Sequence, residues 1–262
     1  MPSEYTKMAY CDDLGGPPNG ISLCIEGEAV SMLRDLSADP DRDVIREVDI
    51  SFTPIDRIDF AQLIALPNLE SVRLYQCGLV EMGRALRLLP PVKFVSIDCC
   101  NGSLDLRNLS PQHSTLQVLC LYKTTTITMR GIEDFHKLSR LKIVVERIND
   151  GVALGRLKWL KDLDLHIGTD IIDLAWLSNM DELCRLLLEG KVRNSLALAS
   201  LRSLRFASIR FTNISVLQGL RLAALLPKCR FDSPENHALW FQSLILVFWL
   251  FGPLIRFWGR LR

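Results

Sequence analysis

The chain has 262 residues, 48% of them apolar, which supplies a large core and excludes wholesale disorder. Its formal net charge of +1 gives no field that would point to nucleic acid or acidic ligands. The opening residues, MPSEYTKMAYCDDLGGPPNG, contain no apolar signal region, so the expected compartment is the cytoplasm and the eight cysteines are expected to be reduced.

In chain order, residues 1–20 carry GGPPNG and read as a flexible N-terminus. ISLCIEG (21–27) suits a strand and EAVSMLRDL (28–36) a helix. DPDRD (39–43) is a break, so 21–43 is expected to cap the segment that begins at residue 44. From Ile45 one pattern recurs: an apolar residue, two variable ones, an apolar residue, one variable one, and a third apolar residue. The clearest case is Leu69, Val72 and Leu74, followed by Cys77 and Leu79. Further units begin at Ile45, Val92, Leu116, Leu160, Leu183 and Leu204. Two weaker units begin at Leu141, where Glu146 falls on an apolar place, and at Leu226. Alternation at the fourth and sixth places fits a strand with one buried face, and each unit is too small to bury that face without stacking on the next. Between strands, Phe60, Leu63 and Ile64, then Met82, Leu86 and Leu89, have helical spacing, and Pro67, Pro90 and Pro91 stop those helices. SLDLRNLSPQHS (103–114) reads as irregular.

These segments resemble the leucine-rich-repeat family, whose LxxLxLxxN/C-x-L pattern returns every ~20–29 residues. The likeness covers about residues 44–232. It implies an α/β fold: a curved solenoid with a parallel concave sheet of about nine strands and short helices or turns on the convex side. Thr53, Cys77, Cys100, Thr124 and Thr212 hold the family's Asn/Cys place, where a small polar side chain can bond backbone at the turn. The resemblance also implies a non-enzymatic module that binds a protein or peptide on the concave face. The variable strand places give the expected partner-binding residues: Arg73, Tyr75, Asp98, Tyr122, Arg147, Asp164, His166, Glu189 and Arg210. Tyrosine and arginine are favoured anchors in such interfaces.

The chain closes on ALWFQSLILVFWLFGPLI (238–255), which has no charge and is apolar nearly all round. A hydrophobic helix over 238–258 is expected, either anchoring a membrane or docking on the last repeat. As a helix, 18 residues span ~27 Å against a hydrocarbon core of ~30 Å. Trp240, Phe248, Trp249 and Trp258 suit a membrane or its interface, with Arg256 and Arg260 at the end. An alternative role is therefore a membrane-localised scaffold in which this tail is the functional element. Nothing in the sequence signals catalysis, a cofactor or a metal. His113, His136, His166 and His237 lie at no ligand spacing, there is no CxxC pair, and no nucleophile or phosphate-loop motif occurs.

Overall fold

A spacing of three, rather than the four of an α-helix, organises the segments between strands. Phe60, Leu63 and Leu66 are buried in one such run; so are Ile132, Phe135 and Leu138, and Leu154, Leu157 and Leu160. Three residues per turn define the 3-10 helix, in which side chains at i and i+3 share a face. In the computed structural model, 3-10 helices accordingly span Phe60–Ala65, Leu106–Gln112, Ile132–Asp134, Gly151–Arg156, Leu174–Asn179 and Ser195–Ser200. Ile64, expected on the buried face, is 67% exposed because the tighter helix turns it outward. The segment expected to be irregular, 103–114, holds a short strand and a 3-10 helix that accommodates Pro111. The structure describes residues 6–9, 21–26, 36–53, 58, 60–77, 86–98, 102–211, 221–222 and 224–226.

Among the described residues eleven strands form one sheet: β1 (Thr6–Ala9), β2 (Ile21–Glu26), β3 (Ile45–Ser51), β4 (Ser71–Tyr75), β5 (Phe94–Asp98), β6 (Ser103–Asp105), β7 (Val118–Thr128), β8 (Arg140–Asn149), β9 (Asp162–Asp173), β10 (Arg185–Arg193) and β11 (Phe206–Phe211). Apart from β1, antiparallel on β2, all pairings are parallel and follow chain order, while β6 joins the far end of β7. Register stacks like on like. Val48, Val72, Val95, Leu119, Leu141, Leu163, Leu186 and Ala207 form one buried row, and Ile50, Leu74, Ile97, Leu121, Ile143, Leu165, Leu188 and Ile209 the next.

This register corrects the phase of one repeat. The unit read from Leu141 begins instead at Leu138, with Leu141 and Ile143 in the two buried rows. The uneven steps on either side of it become 22 and 22 residues, and Glu146 no longer interrupts an apolar place.

Thr53 and Cys77 act at the turn as the family pattern implies. Thr53 Oγ1 donates to Ser51 O at 2.9 Å, and Cys77 Sγ to Ile50 O at 3.4 Å. The residues just before them, Phe52 and Gln76, and Lys123 before Thr124, are left-handed, with φ of 52°, 51° and 51°. Cys100 and Thr212 lie outside the described residues.

Two interior sites tie neighbouring repeats together. Gln112 stands in a row that is otherwise apolar, yet is fully buried. Its Oε1 accepts from Val92 N at 2.8 Å, and its Nε2 donates to Leu89 O and Pro90 O at 2.9 Å each. Gln112→Leu suits the row's volume but strands these backbone groups. The expected loss is about 2–4 kcal/mol, read as a lower urea midpoint at unchanged slope. Gly155 lies where the next repeat comes close: a Cβ there would stand 2.7 Å from Trp176 O and 2.9 Å from Trp176 Cβ. Gly155→Ala is therefore expected to cost about 1–3 kcal/mol, seen as a fall in Tm.

Among the described residues no helix is long and apolar enough to cross a membrane. The expected C-terminal helix over 238–258, with Trp240, Phe248, Trp249, Arg256, Trp258 and Arg260, lies outside them, as does most of the expected helix over 28–36.

Candidate functional site: the concave face

Side chains alternate along each strand, so the places between the buried rows form the outer, concave face of the sheet. Most of its charges are already used between repeats. Just outside the face, in the segment leading into the strands, Glu70 sits between Arg46 at 3.2 Å and Lys93 at 2.9 Å. Asp162 sits between Arg140 at 3.3 Å and Arg185 at 3.5 Å. Asp164 lies 3.2 Å from Lys142 and 2.8 Å from His166 Nε2, and His166 Nδ1 reaches Glu189 at 2.8 Å. Opposite signs on successive strands are the cross-strand pairing expected to favour the observed register.

These ties sort the expected partner-binding residues. Arg73 Nε is 2.7 Å from Glu47 and 4.0 Å from Asp49, and its guanidinium lies 5.4 Å from the Phe94 ring centroid. Glu47 is only 2% exposed, and burial pushes its carboxyl up to about 7 despite the arginine beside it. Arg73 is thus committed to its own fold. Arg147 is displaced from the row to which it was assigned. With the repeat rephased, Val144 takes that place between Tyr122 and His166, while Arg147 pairs with Thr126 beyond the strand bend and lies 3.6 Å from Asp170.

Tyr75, Asp98, Tyr122, His166, Glu189 and Arg210 do fall in one continuous row with Val144. Asp164 lies in the adjacent row beside Lys142. Tyr122 is partly covered, with Lys142 Nζ 5.1 Å from its ring centroid, and burial raises its hydroxyl pKa. Burial also opposes ionisation of Asp164, but the bond to His166 and the Lys142 charge outweigh it and hold the carboxyl below its usual value. The bond to Asp164 raises His166 against the opposing effect of burial, with the charges of Asp164 and Glu189 adding to the rise.

Phe52 is a surface residue that the repeat pattern did not flag. It is 55% exposed and packs edge-on against Tyr75, itself 38% exposed, at a centroid distance of 5.4 Å. A phenylalanine in the left-handed region is disfavoured by its Cβ, and here the strained place presents a ring to solvent. The available signal was positional: Phe52 directly precedes the Asn/Cys place, where the chain turns outward. Among the described residues no cluster of His, Cys, Asp and Glu could hold a metal ion.

No protein-family model and no curated protein matches the chain. Solved structures do. An internalin (inlF) of Listeria monocytogenes matches with a TM-score of 0.55 at 19% identity over 73% of this chain and 54% of its own length. Internalin C2 of the same species gives 0.54 at 16% identity, covering 78% of this chain and 92% of its own. A leucine-rich-repeat protein of Leptospira interrogans gives 0.42 at 13% identity over 72% and 60%. The chain therefore spans about half the length of the first of these structures. The likeness to the two internalins is one of fold: repeats of a strand and a short helix stacked into a curved parallel sheet.

Proposed function

We propose that this chain, which has the leucine-rich-repeat fold, is a non-enzymatic binding module that takes a protein or peptide along its concave face. One observation carries the reading: where most charges of that face are spent between repeats, the aromatic pair Phe52 and Tyr75 stays open to solvent at one end of the row. Aromatic side chains give large contact area at low entropic cost and dominate interface energetics. The row running from Tyr75 through Tyr122 and Val144 to Glu189 then supplies a mixed apolar and polar track for an extended partner. The fold by itself does not assign a partner.

The test compares capture from extract by the wild-type chain, by Phe52→Ala/Tyr75→Ala, and by Ile64→Ala on the convex side. A protein held by the wild type should be lost from the concave variant and kept by the convex one. Equal capture by all three would sink the assignment. The sequence-based expectation of a membrane anchor at 238–258 gains no support from the described residues and plays no part in this reading.

A further inference from the structure

The regular stack is broken in its second half. Between β7 and β8 the register slips at Tyr122/Thr124, and between β9 and β10 it slips again at Glu189/Lys191. Between these breaks β8 and β9 pair only as far as Val145 and Ile167, then separate. Thr169 Oγ1 donating to Glu146 O at 2.8 Å spans the gap. Gly190 accommodates the irregularity: its φ is +139°, and a Cβ would stand 2.7 Å from Ile167 O. Such breaks recur beside binding sites because they re-aim side chains.

The break leaves a recess of about 430 Å³ at the rim of the concave face. Val144, Val145 and Ile167 give it an apolar wall, and Glu146 and Glu189 also line it. Thr124 lines it too; this residue is fully buried, and its hydroxyl has no hydrogen-bond partner among the described residues. Glu146 is exposed and makes no ion pair among the described residues, whereas Glu189 is held by His166. The groups facing His166 are Asp164 on its own strand, Glu189 on β10, Lys142 and Glu146 on β8, and Tyr122 and Lys123 on β7.

From this geometry we infer that the recess between β7 and β10 anchors an arginine side chain of the bound protein, its stem on Val144 and Ile167 and its guanidinium between Glu146 and Glu189. The inference rests on the concave-face reading and names the chemistry of its partner. Arginine fits better than lysine because a planar fork of five donors can serve two carboxylates at once. Lys123 opposes it with a single charge. Protonated His166 competes with the guest for Glu189, so the site takes its guest best when His166 is neutral. Asp164 and Glu189 favour the proton on His166 and raise its pKa from the ordinary histidine value. Occupancy therefore rises as pH increases through that raised pKa, and the bound guest in turn expels the proton.

The probe is N-acetylarginine amide, with N-acetylcitrulline amide as its neutral isostere, titrated into the full-length chain and followed by NMR at the His166 imidazole and the Thr124 methyl. Saturable shifts with the arginine probe are expected, at least ~10-fold weaker with citrulline and about 3–10-fold weaker at pH 5.5 than at pH 8.5. Glu146→Gln, which breaks no existing pair, should weaken binding about 5-fold or more, and Lys123→Ala should strengthen it. Equal binding of citrulline, no effect of Glu146→Gln, or tighter binding in acid would each overturn the inference. Because the probe is not the partner, its failure would leave capture through Phe52 and Tyr75 standing, and loss of that capture would not alter the titration.

Discussion

Arg73→Ala is expected to cost about 1–3 kcal/mol of stability at pH 8, where the buried carboxyl it leaves must be protonated and its own packing is lost. The cause is Glu47, 2% exposed and 2.7 Å from the guanidinium. Without Arg73 the buried carboxyl, left with Ser71 donating to it at 3.3 Å, must take up a proton even at pH 8, because the charge that held its pKa down is gone. The loss should shrink at pH 5.5, because a carboxyl whose folded pKa is about 7, against 4.5 ordinarily, takes up a proton there. The sign comes from linkage. Between those two values the folded state binds more protons than the unfolded state, so this group makes stability fall as pH rises through 7. In the wild type the full fall amounts to roughly 3 kcal/mol, of which roughly 2 kcal/mol lies between pH 5.5 and pH 8. Urea unfolding at the two pH values measures both effects. Glu47→Gln should flatten the pH dependence, and adding it to Arg73→Ala should recover most of the loss at pH 8. An Arg73→Ala penalty equal at both pH values would mean that the arginine acts through its stacking on Phe94 alone.

Phe52→Ala/Tyr75→Ala is expected to weaken partner binding at least ~10-fold, with Tm within about 2 °C of wild type. Buried aromatic anchors are worth about 1 to several kcal/mol each, and ~1.4 kcal/mol is tenfold. Both rings project from the face rather than into the core, so little packing is lost. Phe52 also occupies a left-handed backbone place, and Phe52→Gly relieves that strain while removing the ring. It should therefore weaken binding while leaving stability equal or higher. Titration calorimetry with the captured partner, paired with thermal unfolding, separates the two quantities. Lower Tm accompanying lower affinity in both variants would make the pair structural.

The repeat was legible in the sequence because its signal is repeated burial: two apolar places per strand, recurring at nearly constant spacing, leave little freedom of phase. It failed at Leu141 because LSRLKIVVERIN is apolar enough to satisfy the pattern from two starting points. Only the neighbours' register decides for Leu138, by pairing Leu141 with Leu119 and Ile143 with Leu121. Arg147 was misplaced by the same slip. The short helices were foreseen, but not their type, since Phe60, Leu63 and Ile64 fit 3.6 residues per turn as well as three. The surface was harder still. Whether an arginine is free or spent depends on the residue one strand away, some 24 positions distant for Arg73 and Asp49, and no window along the chain contains that information.

The pairing of charges from strand to strand also bears on how such a molecule can change length. A stack of identical units could gain or lose one without consequence. Here each unit is written for its neighbours. Excising the repeat from Leu138 to Trp159 would set Asp162 beside Val118 and Asp164 beside Cys120, with Arg140 and Lys142 gone. The hydrophobic rows would close over the deletion, but each acid would lose the base on one side, leaving Asp162 with Arg185 and Asp164 with His166. The order of the repeats is thus held by electrostatic addresses, and the solenoid has lost the modularity that its period advertises.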